Sequence, residues 1–158
     1  MATPSELSAR LREAADKETV ELGRISETDA SEKTGDAWSR KEELGHLIDS
    51  ASNNHQRFVR GALEAGHLGP GYAQNEWVRI HAYQTMPWES LVRLWHGYNV
   101  LLAHLAAQIP AEALEGVCTY GEYGPFTLGY IIDDYILHMR HHLDHILRRE
   151  TVTRYPRA

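Results

Sequence analysis

The chain has 158 residues, enough for one domain with a substantial hydrophobic core, and its 42% hydrophobic and 24% charged content is that of an ordinary globular protein. A formal charge of −6, with lysines and arginines scattered, offers no footprint for a phosphate backbone and argues against nucleic-acid binding. No apolar run reaches the length of a bilayer span, and MATPSELSAR lacks the apolar centre of a secretory signal, so the expectation is a cytoplasmic protein with no membrane partner, folded as a single domain over residues 1–158.

The first helix announces its start. Thr3 can cap, Pro4 suits the first helical position, and Glu6 completes a T-x-x-E capping box; Leu7, Leu11, Ala14, Leu22 and Ile25 then recur at helical spacing, with an end expected near Ser26. SETDASEKTGDA follows as a polar connection, read as a solvated loop.

The second helix begins after Ser39, where S-R-K-E is again a capping box and Trp38 precedes it as a packing anchor. Its apolar stripe is Leu44, Ile48, Ala51, His55 and Phe58. His46 lies well around the helix from that stripe, near Ser50, Asn53 and Arg57, with Glu43 one turn before it. On this helix alone His46 reads as exposed; a metal-binding reading requires its polar flank to line a cleft.

From Ala62 to Thr85 the glycines Gly66, Gly69 and Gly71 with Pro70 break any long helix, so this is a crossover connection. Within it YAQNEWVRIHAYQ fits a short helix whose Tyr72, Trp77, His81 and Tyr83 cover the core or wall a pocket beside it. The third long helix starts at Thr85-x-Pro87-x-Glu89 and carries Trp88, Leu91, Val92, Trp95, Tyr98, Leu102, Leu105 and Ile109 as structural filling; His96 and His104 read as surface residues without partners. VCTYGEYGPFT is turn-rich and fits a small hairpin, with Cys118 an unreactive packed thiol. As the sole cysteine it supplies neither an internal disulfide nor a cysteine-rich metal site, so any metal must use nitrogen and oxygen ligands.

Thr127 caps the fourth long helix. Leu128, Ile132, Tyr135, Met139, Leu143 and Ile146 form its apolar stripe, while Asp134, His138, His141 and His145 share the flank. Residues four apart stack one turn above another, so Asp134 with His138, or His138 with His142, could hold one ion. Arg148, Arg149 and Arg154 end the chain where positive charge complements the helix dipole. Four long amphipathic helices with one extended connection between the second and third predict an all-α fold, a four-helix bundle, in which facing helices commonly build metal sites. A carboxylate-bridged di-iron centre is not expected: Glu43-x-x-His46 has no second copy.

WSRKEELGHLIDSASNNHQRF, followed much later by DYILHMRHHLDHIL, resembles the DinB-like superfamily, DNA-damage-inducible four-helix-bundle proteins related to bacillithiol- and mycothiol-dependent transferases. The resemblance implies one metal ligand in the second helix, matching His46, and two more from an H-x-x-x-H pair in the last helix, with a further histidine one turn later. This chain departs from that pattern and leaves two registers. In the preferred one Asp134 and His138 complete the site, and His142 or His141 orients a ligand from behind. In the other His138 and His142 are the pair.

The implied cofactor is a divalent ion, Zn²⁺ or Ni²⁺, and the implied chemistry is transfer of a low-molecular-weight thiol to an electrophilic small molecule, or metal-assisted hydrolysis, with activated water or thiol as nucleophile. A homodimer is expected. The opposing reading is a non-catalytic, stress-associated metal-binding or interaction bundle.

Overall fold

The structure is a computed structural model that describes residues 1–155. Thr3 opens helix α1 (Pro4–Gly23) as expected: its hydroxyl accepts from the Glu6 N–H at 3.2 Å while Glu6 accepts from the Thr3 N–H at 2.7 Å. Ser39 and Glu42 make the same reciprocal pair at the start of α3 (Arg40–Leu63). With α5 (Trp88–Gln108) and α6 (Leu128–Ile146) these form the four-helix bundle, α1 packed chiefly on α5 and α3 on both α5 and α6. No helix among the described residues is long and apolar enough to cross a membrane.

The predicted stripes converge on one core. Leu7, Leu11 and Leu22 of α1, Leu44, Ala51 and Phe58 of α3, Trp95 and Leu102 of α5, and the whole expected stripe of α6 are buried. His55 leaves that stripe half-buried, its Nδ1 3.2 Å from the Tyr98 hydroxyl. Two polar groups that enter the core are paired, Tyr135 donating to Asn99 Oδ1 at 2.6 Å and Trp88 Nε1 to the Leu22 carbonyl at 2.9 Å, whereas the buried Trp95 Nε1 has no hydrogen-bond partner among the described residues.

Three features differ from expectation. The first helix stops at Gly23, and the polar stretch after it is not all loop: Ser26 caps a short helix, α2 (Glu27–Ser31), because its hydroxyl accepts the Asp29 N–H at 3.1 Å. Glu27 then binds both the buried Lys41 ammonium and the Trp88 N–H, tying α2 to the starts of α3 and α5. His96 has a partner, Asp16 of α1, at 2.9 Å.

The crossover contains α4 (Gln74–His81) and a two-residue strand, β1 (Leu68–Gly69). β1 pairs in parallel with β2 (Val117–Tyr120), and β2 pairs antiparallel with β3 (Tyr123–Thr127). The expected hairpin is therefore the larger part of a three-stranded sheet. Gly121, at φ +62°, supplies the left-handed conformation its turn requires. Cys118 is buried within it, as a packed thiol should be.

Tyr83, after α4, packs its ring directly on Gly45 of α3. A β-carbon at Gly45 would lie 2.1 Å from the ring, so only glycine admits this approach. Gly45→Ala should destabilise the fold by about 2 kcal/mol in urea unfolding, because overpacking outweighs the gain of about 1 kcal/mol in helix propensity. At the other end of the chain, Arg149 bridges the nearly buried Glu18 (2.9 and 3.0 Å) and Asp144 (2.6 Å). Arg149→Ala strands both carboxylates and should cost about 2 kcal/mol by the same measurement, reduced from the fully buried case by the partial exposure of the arginine.

Candidate metal centre

Helices α3 and α6 run antiparallel, and the Arg40 guanidinium bonded to the Ile146 carbonyl at 2.9 Å sets their level. In that register His46 comes level with Arg140, between His138 and His142, whereas Asp134 falls level with Ser52, more than a helical turn away. Packing offset, which helical periodicity does not specify, thus decides which residues of α6 meet His46.

His46 is 1% exposed, contrary to its reading as a surface histidine, because its side of α3 is covered by α6 and by Trp38, whose ring centroid is 5.0 Å away. Its Nε2 faces His138 Nε2 at 3.1 Å. The His142 ring stands 4.8 Å from that of His46 and 4.6 Å from that of His138. One donor nitrogen from each of the three lies within 4.8 Å of the others. Asp134 is outside this group: its Oδ2 accepts from the Tyr123 hydroxyl at 2.8 Å, in the cleft beside the histidines. The structure therefore brings together His46, His138 and His142, the register carried above as the alternative to Asp134. His141 turns away, its Nδ1 3.1 Å from the Thr153 carbonyl, and His145 is exposed.

The electrostatics suit a cation. Burial, with His142 adding, pushes the His46 pKa down to about 4, and burial with the neighbouring imidazoles holds His138 well below the usual histidine range. Both rings are thus neutral, the form that ligates metal. Two neutral Nε2 atoms face to face can share only one proton, and their separation is close to the ~3.3 Å edge of a tetrahedron of nitrogens around zinc. A divalent ion in place of that proton satisfies both lone pairs. Behind the group, Glu43 Oε1 lies 2.9 Å from His142 Nδ1 and 3.4 Å from His145 Nδ1. A carboxylate there favours the Nδ1–H tautomer of His142 and leaves Nε2 free to ligate. Glu43 was legible as a neighbour of His46 on its own helix, but its partnership with α6 was not.

Beyond His138 the helices open into a cleft of about 270 Å³, lined by Ser50, Asn54 and Arg57 of α3, Asp134 and Tyr135 of α6, and tyrosines from the sheet and crossover. Tyr155 covers it, with its ring 4.9 Å from that of His138 and its pKa pushed up to about 12, chiefly by burial.

The family model described as the DinB superfamily matches residues 4–146. This chain belongs to the DinB superfamily. It is 26% identical over 118 residues, 75% of its length and 67% of the relative's, to an Oceanobacillus iheyensis protein named "Putative metal-dependent hydrolase OB0782". Its fold superposes with a TM-score of 0.80 on YfiT of Bacillus subtilis, described as "a probable metal-dependent hydrolase with an unusual four-helix bundle topology", at 17% identity over 92% of this chain and 84% of that one. The superfamily assignment and the bundle expected from sequence agree.

The Glu43 arrangement has a direct spectroscopic consequence. In metal-free protein at pH 8, Glu43→Leu should move the His142 ring from predominantly Nδ1–H to a tautomer mixture, read from its ring-nitrogen NMR shifts.

Proposed function

We propose that this chain is a metal-dependent hydrolase of small molecules, with His46, His138 and His142 as the protein ligands and the adjoining cleft as the substrate pocket. The observation that carries the reading is the convergence of three imidazole nitrogens, from helices far apart in sequence, at the head of a polar cleft. The names of the Oceanobacillus and Bacillus relatives support the same direction.

Three protein ligands leave coordination positions for water and substrate. A bound divalent cation such as Zn²⁺ or Ni²⁺ supplies Lewis acidity and activates a nucleophile near neutral pH. The protein's own groups do the rest. Glu43 orients His142, Trp38 shields His46 from solvent, and Tyr155 limits water at His138. Asp134 Oδ2 accepts the hydrogen bond of the Tyr123 hydroxyl, placing a fixed donor–acceptor pair on the cleft wall beside His138. Thiol transfer would use the same ligands with a low-molecular-weight thiol as nucleophile.

The test is metal analysis of tag-free protein prepared without a nickel column, followed by turnover of small esters and amides with and without added cellular thiols. Wild type should carry about one ion per chain, and His46→Ala and His142→Ala should weaken binding roughly 100-fold or more. Asp134→Asn should keep the metal. Loss in Asp134→Asn with retention in His142→Ala would overturn the ligand set in favour of Asp134. Metal without hydrolysis, but with thiol-dependent turnover, would replace hydrolysis by transfer.

A further inference from the structure

Eleven residues beyond His46 on the same helix, about 16 Å along its axis, Arg57 brings a cation into the cleft. Its guanidinium carbon lies 4.7 Å from the ring centroid of Tyr120, 5.7 Å from Tyr123 and 5.9 Å from Tyr72. Among the described residues Arg57 makes no ion pair. Aromatic faces stabilise a partly desolvated guanidinium through their quadrupoles, and the in-plane N–H groups remain available for a planar anion. Burial draws the arginine's pKa down from its ordinary value, as expected for a cation that lacks a carboxylate partner.

The surroundings are built without Arg57's side chain. Tyr120 donates to the Arg57 backbone carbonyl at 3.2 Å and lies 3.2 Å from His67 Nδ1, while Tyr123 is fixed by Asp134. The acids of the cleft are placed for other contacts: Asp134 accepts a hydrogen bond from the Tyr123 hydroxyl, and Glu122 sits exposed at the hairpin turn. The cleft therefore has a metal-capable end at His138 and a cationic, tyrosine-walled end at Arg57, within a volume suited to a compact molecule.

We propose that Arg57 is a specificity-determining residue that receives the carboxylate of a small organic acid, anchoring it so that the bond to be broken lies toward the three histidines. This rests on reading the cleft as the substrate pocket, but carboxylate recognition itself does not require the metal. A bidentate Arg–carboxylate pair, away from bulk water, fixes orientation as well as adding affinity. An uncharged isostere would leave the guanidinium desolvated and unpaired, so discrimination comes from both gain and penalty.

The experiment uses the full, tag-free, metal-free chain and two probes of equal shape, glutarate and glutaramide, titrated by NMR at fixed ionic strength. Wild type should prefer glutarate by about 10-fold. Arg57→Gln should abolish the preference with the tyrosine walls in place, and Glu112→Gln, exposed and outside the cleft, should leave it intact. Where Arg57→Gln fails to fold, Arg57→Lys serves instead: it keeps the charge but loses the fork, and the preference should weaken. Equal affinity of wild type for the two probes, or a preference unchanged in the arginine variants, overturns the inference. Metal binding with no carboxylate preference removes this inference and leaves the hydrolase reading standing; carboxylate preference without metal binding does the reverse.

Discussion

The burial of His46 is the constraint on which the site depends. An imidazole taken from water cannot keep a proton cheaply, so it stays neutral and presents an unshared pair that needs a partner. Around His46 the fold provides Trp38 as cover and two more imidazoles, His138 and His142, in place of a carboxylate. A counter-ion beside His46 would have raised its pKa and favoured a proton. Neighbours that are themselves bases favour the neutral rings, and neutral nitrogens closely grouped are what a divalent cation requires.

That grouping is held by ordinary packing. The Arg40 contact to the last turn of α6 fixes the level of the two helices, and the seating of Tyr83 on Gly45 braces the opposite side of α3 one residue before His46. Tyr83 also donates to the buried Asp49 at 2.6 Å, so the crossover is pinned to α3 by both shape and hydrogen bonding. The negative groups are kept behind or beside the histidines: Glu43 reaches the far nitrogen of His142, and Asp134 engages a phenol. This separation preserves basic nitrogen donors while letting carboxylates set tautomer and wall polarity.

What was legible in the sequence was local. Capping boxes at Thr3 and Ser39, the hydroxyl cap at Thr127 and the apolar stripes specified the long helices, since each signal acts within a few residues. The crossover and hairpin were visible from glycine and proline for the same reason. The helical turn after Ser26 was missed because its value lies in distant bonds from Glu27 to Lys41 and Trp88. The choice between Asp134 and His142 was not legible, because both stand four residues from His138 and only the offset of α6 against α3 separates them. Arg57 gave no signal of its own; a mid-helix arginine looks solvated until Tyr72, Tyr120 and Tyr123 arrive from two other parts of the chain.

These origins divide the cleft into two kinds of wall. The histidines stand on α3 and α6, whose positions are fixed by a shared core. The surfaces facing Arg57 come from the crossover and the β2–β3 hairpin, and of these only selected atoms, such as the Tyr120 hydroxyl, are tied back to α3. The exposed side chains at the rim, Gln74 and Glu122, can therefore change with little cost to the core. A rigid pair of helices presenting donors, with a separable wall presenting recognition groups, lets substrate preference vary while the metal-capable geometry stays in place. In this chain the separable wall sets tyrosines around Arg57, so the end of the cleft away from the histidines is aromatic and cationic.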